Sequence, residues 1–79
     1  MSLDNFDLIT ANPEILGGKP CIKDTRISVD LILEWFATGA TIANLREQFP
    51  HLTEDGIRQA LQYAAYIIKN ETFFEIKVA

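Results

Sequence analysis

The sequence predicts a mainly α domain: three helices, a small N-terminal β element and a short C-terminal strand. Three observations carry that expectation. Apolar residues recur at helical spacing between residues 28 and 70. Capping residues, Gly and Pro interrupt that stretch twice. The last residues, "TFFEIKV", alternate at the period of a strand. With 79 residues there is room for a single domain in three zones: 1–27 rich in turns, 28–70 helical, and 71–79 strand-like.

In the first zone "FDLIT" alternates loosely and reads as a short strand. "ANPEILGGKP" follows with two prolines and a Gly pair, which is turn chemistry, and Pro13 keeps Asn12 out of the helical region. "CIKDTRISV" sets Ile22 and Ile27 around a polar Lys-Asp-Thr. Asp and Thr side chains bond nearby backbone N–H groups, so a tight turn is expected there.

The first helix is expected to start after Ser28 as N-cap, with Asp30 near its positive end. Val29, Ile32, Leu33, Phe36 and Ala37 share its apolar face, and Gly39 stands where a left-handed residue ends a helix. Thr41 caps a second helix, in which Ile42, Leu45 and Phe49 recur at helical spacing, and Pro50 stops it. Thr53 caps a third, with Glu54 and Asp55 in its first turn. Ile57, Ala60, Leu61, Ala64, Ala65 and Ile68 form its stripe. Gly56 costs that helix roughly 1 kcal/mol relative to Ala, which marks a place of close backbone approach. The turn "FPHL" between the second and third helices makes a helix-turn-helix. With the first helix in front, the unit is three-helical, as in homeodomain-like folds. The C-terminal strand puts Phe74, Ile76 and Val78 on one face and needs a partner strand, either in cis or from a second chain.

Composition narrows the function. At 48% hydrophobic and 23% charged the chain is globular rather than disordered. It has no apolar run long enough for a membrane span, and its first ten residues lack the basic start of a secretory signal. The single cysteine, Cys21, permits no internal disulfide and points to a reducing, cytoplasmic setting. A domain this small removes only about 60% of its unfolded surface from water, so association into a homodimer is expected to support it. The net charge of −4 runs against wholesale phosphate tracking and favours protein partners.

Catalytic readings of the residues are weak. "GGKP" lacks the spacing of a phosphate loop, and Pro20 stands where its hydroxyl residue belongs. Cys21 and the only histidine, His51, lie in different segments, and nothing in the sequence brings a base to the thiol. One Cys and one His at no recognised spacing make no zinc site, and no cofactor is implied. Glu54 and Asp55 point in different directions on a helix and read as dipole partners. No catalytic residue is therefore expected.

Binding readings are stronger. Arg58, Gln59 and Gln62 lie off the apolar stripe of the third helix, where a helix-turn-helix presents side chains to base edges, with Arg46 facing phosphates. Glu54 and Asp55 would meet phosphates at the helix start, so a solvated polar face describes the same residues better. Trp35 on the first helix, and Tyr63, Tyr66 and Ile67 on the third, form surplus apolar surface of the kind enriched at interfaces. They fit as well under the N-terminal arm or the C-terminal strand.

The run "ITANPEILGGKPCIKDTRISVDLILEWFATGATIANLREQFPHLTEDGIRQALQYA" resembles a family of small prokaryotic proteins known as domain of unknown function 433. Its pattern has Gly-Gly-Lys-Pro-Cys-Ile, then Gly-Thr-Arg-Ile-Pro-Val, a helix, a Gly, a Pro-x-Leu-Thr phrase and an Ala-rich helix. Asp24 and Ser28 replace the common Gly and Pro, and both suit the same local geometry. The resemblance implies a homeodomain-like core with a small N-terminal β element, and a dimer. It also implies an antitoxin encoded beside a PIN-type nuclease-like toxin, which binds that toxin and its own promoter DNA. Gly17, Gly18, Lys19, Pro20, Thr25 and Arg26 match the signature and read as structural or interfacial. The other reading is a dimeric protein-interaction module that binds no DNA.

Overall fold

The computed structural model of the protein describes residues 2–3 and 6–70. It contains three helices and a small antiparallel sheet of order β1-β2-β3: β1 Ser2–Leu3, β2 Phe6–Ala11 and β3 Pro20–Ile22. The helices are α1 Val29–Ala37, α2 Ile42–Gln48 and α3 Glu54–Asn70. The strand that the sequence predicts over 71–79 lies outside the described residues.

Local chemistry accounts for each boundary. Between β2 and β3 the chain turns through a short 3-10 segment, Leu16–Gly18, in which Gly17 (φ 66°) and Gly18 (φ 89°) take left-handed backbone. Pro20 opens β3, where its missing N–H costs the ladder least. The register pairs Ile9 with Ile22, Thr10 with Cys21 and Ala11 with Pro20. The expected Asp-Thr turn follows. Asp24 is left-handed (φ 63°). The Thr25 hydroxyl donates to the Ile22 carbonyl at 2.7 Å and accepts from the Ile27 N–H at 3.0 Å.

The three caps stand where the sequence puts them. Ser28 Oγ accepts from the Leu31 N–H at 3.2 Å. Thr41 and Asn44 form a reciprocal capping box. Thr53 Oγ1 accepts from the Gly56 N–H at 3.0 Å. Gly39 (φ 96°) closes α1, and the Ala40 N–H reaches back to the Trp35 carbonyl.

The core is one cluster drawn from every layer: Ile9 and Ile22 from the sheet, Val29 and Ile32 from α1, Leu45 from α2, Leu52 from the turn, and Ile57 and Ala60 from α3. β3 passes so close to the start of α3 that a Cβ at Gly56 would come within 3.2 Å of Ile22 Cγ2 and of Thr53 Oγ1. The glycine is thus explained by packing. Two expected core faces run out early. Leu33 on α1 is 38% exposed and Ile68 on α3 is 60% exposed, while Ala37 and Ala65 are also exposed. At about 25 Å, α3 outlasts the elements packed on it.

Candidate docking and nucleic-acid faces

Cys21 is buried in β3, and its thiol lies 3.4 Å from the Lys19 carbonyl. Burial pushes the thiol pKa up, Asp30 adds to the rise and Lys19 opposes it, which is the opposite of thiolate activation. His51 is exposed in the α2–α3 turn and lines a cleft with Ile22, Lys23 and Thr53 that does not include Cys21. No three of His, Cys, Asp and Glu come together as a metal site among the described residues.

The signature residues divide by role. Gly17 and Gly18 shape the reversal, Pro20 begins β3 and Thr25 fixes the turn. Lys19 pairs with Asp30 on α1 at 3.3 Å, tying leader to helix across exposed surface. Arg26 is exposed, beside a cleft of about 620 Å³ that Asn12, Ile15, Lys23 and Thr25 also line. The Asn12 amide oxygen and the Thr25 hydroxyl in that cleft are already engaged with backbone.

The Asp30 carboxyl is held below the ordinary range, first by the Ser28 hydroxyl and further by Lys19, against the opposing effect of desolvation. Its unfolded value, about 3.9, is therefore higher than its folded one. Its stabilising contribution is complete above the unfolded value and is lost as pH falls through the folded one. Asp30→Asn should cost about 0.2–1 kcal/mol at pH 7, as for an exposed pair. The cost should vanish toward pH 2, read as the urea midpoint against pH.

The expected DNA-reading residues do not form one free set. Arg58 is exposed, and its guanidinium donates twice to Glu54, at 3.0 and 2.8 Å. An exposed i,i+4 pair is worth only about 0.3–0.5 kcal/mol, so a stronger acceptor releases it. Gln62 and Arg46 are exposed, Arg46 in the last turn of α2. Gln59 differs. Its amide oxygen accepts from the Leu8 N–H at 3.0 Å, and its nitrogen donates to Asp7 at 3.0 Å. Both ends are thus engaged with β2, and freeing Gln59 would strand a half-buried N–H at a cost of about 1–3 kcal/mol. Gln59 is a clamp between helix and strand rather than a free reader.

The expected interface residues also divide. Trp35 is half-buried and packs edge-on against Phe49, centroids 5.5 Å apart. Tyr63 meets Phe6 of β2 edge-on at 5.4 Å, and Tyr66 lies tilted on the same ring at 5.5 Å. The N-terminal arm thus covers part of this aromatic face, although Tyr66 stays 49% exposed. Ile67 lines, together with Tyr63, an apolar groove of about 320 Å³ between α1 and the last turns of α3. Leu33 and Ile68 line it as well. Periodicity assigns both to the core, yet Leu33 is 38% and Ile68 60% exposed.

The sequence profile of the family described as "Protein of unknown function (DUF433)" matches residues 9–64. The uncharacterized protein y4eO of Sinorhizobium fredii (strain NBRC 101917 / NGR234) is 34% identical over 58 residues, covering 73% of this chain and 26% of that protein. The chain thus spans about a quarter of that relative's length. The crystal structure of a DUF433 member from Anabaena variabilis ATCC 29413 superposes with a TM-score of 0.74 at 27% identity, covering 78% of this chain and 61% of that one.

Proposed function

From the premise that this chain belongs to the DUF433 family, we propose that it is a non-enzymatic binding protein: the antitoxin of a toxin–antitoxin pair, working in the cytoplasm as a homodimer. The observation that carries this reading is surplus apolar and aromatic surface: exposed Leu33, Tyr66 and Ile68, with half-buried Trp35. Trp35 lines a shallow surface with Leu31, Glu34 and Thr38, an aromatic rimmed by a carboxylate. That chemistry, with a net charge of −4, suits a basic protein such as a PIN-type nuclease-like toxin. Among the described residues no helix is long and apolar enough to cross a membrane. Co-expression with the product of the neighbouring gene tests the pairing. The two should co-purify, Trp35→Ala should weaken the complex, and separate elution would refute the pairing.

The promoter arm treats α2 and α3 as a homeodomain-like helix-turn-helix, with α3 in the major groove. Arg58 and Gln62 read bases and Arg46 serves phosphate, while Gln59 holds the helix in place. An arginine–guanine contact outweighs the Glu54 pair by about 1–3 kcal/mol against 0.3–0.5. Arg58→Ala should therefore cost about 1–3 kcal/mol in binding to its own upstream DNA at low salt and relax sequence preference. If wild type does not retard that DNA, the promoter arm is lost. The reading of a dimeric interaction module without DNA contact would then stand.

A further inference from the structure

Between α1 and α3 an apolar groove stays open. Pro20, Val29, Leu33, Tyr63, Ile67 and Ile68 line it, with the Lys19–Asp30 pair at its rim. α3 ends at Asn70 beside it, and the nine residues that follow, "ETFFEIKVA", carry four large apolar side chains. Phe74, Ile76 and Val78 share one face of an extended segment, and Glu75 and Lys77 the other. A single strand laid on two helices leaves its own N–H and C=O groups without partners. Among the described residues the sheet offers little in cis. One side of β3 pairs with β2, and on the other Cys21 bridges Ser28 and the Ile22 N–H bonds the Ile27 carbonyl. β1, at the far edge, is two residues long.

We propose that the groove is a dimer face, covered by residues 74–78 of a second copy that pair antiparallel with the same residues of the first. The sequence is self-complementary about Ile76. In that register Ile76 faces its own copy, Phe74 faces Val78, and each Glu75 faces a Lys77. Opposite charges directly across a strand pair attract, and a two-fold axis makes the contact twice. Shifting the centre to Glu75 would set like charges against each other. The two-stranded ribbon satisfies its own ladder and turns its Phe74–Ile76–Val78 faces onto the grooves.

This inference rests on the homodimer reading, and the test separates the two. Solution mass is measured against concentration for the full chain, for Glu75→Lys, for Lys77→Glu and for the double exchange. The wild type should be a dimer. Each single reversal should weaken it by about tenfold, and the double exchange should restore it. Circular dichroism should not change, because these charges lie off the apolar face. In a sample mixing labelled and unlabelled chains, Phe74 and Ile76 should show contacts to Leu33 and Ile68 of the other copy. A monomeric wild type would overturn both readings. A dimer indifferent to the reversals, or contacts confined to one chain, would overturn the strand pairing and leave the homodimer standing.

Discussion

Replacing Ile57 with Ala is expected to destabilise the fold by about 2–5 kcal/mol, the range for a large side chain removed from a closed core. Ile57 is fully buried at the first turns of α3, in one cluster with Ile9, Ile22, Leu45 and Leu52. Sheet, α2, turn and α3 all converge there, so no single element can relax into the cavity without leaving another. At about 0.05–0.15 kcal/mol per residue the whole domain has only roughly 4–12 kcal/mol to lose. The variant should therefore be partly unfolded at 37 °C. Urea unfolding followed by far-ultraviolet circular dichroism should show a lower midpoint with little change in slope. A loss below about 1 kcal/mol would mean that the site collapses freely and the cluster is not a shared core.

The second large effect is expected at Gln59. Gln59→Ala removes both bonds to β2 and leaves the half-buried Leu8 N–H without its acceptor, a loss of about 1–3 kcal/mol. The neighbouring Arg58→Ala gives up only an exposed pair with Glu54, about 0.3–0.5 kcal/mol. Adjacent residues on one helix should thus separate cleanly. Gln59→Ala should lower the urea midpoint and deprotect the β2 amides to hydrogen exchange, whereas Arg58→Ala should leave stability nearly unchanged and, on the proposed promoter reading, act on DNA retention. Equal stability losses at the two positions would contradict the clamp.

The contrast also shows what a sequence can carry. Caps are local, so Ser28, Thr41 and Thr53 announce their helices, and Gly39 its stop, from a few residues each. The close approach at Gly56 was legible too, because a glycine inside a strong helical stripe needs a neighbour to explain it. Gln59 was not. Its partners lie 51 and 52 positions away in sequence, and helical spacing says only that it sits off the stripe. Which polar residues on that face meet a strand depends on how β2 crosses α3. Leu33 and Ile68 fail for a related reason. Periodicity identifies a stripe, but the lengths of the neighbouring elements decide how much of it is covered. The aromatic face shows both effects: Tyr63 and Tyr66 find Phe6, whereas Ile67 is left lining a groove.

The measurement that bears most directly on the proposed role is an inhibition titration. The product of the neighbouring gene, a nuclease on the proposed reading, is purified, its cleavage of RNA is followed, and this protein is added in increasing amounts. Cleavage should fall to the baseline at about one binding site per nuclease, and Trp35→Ala should shift the titration to higher concentration. Cleavage that continues unchanged in large excess of the folded protein would contradict the antitoxin reading.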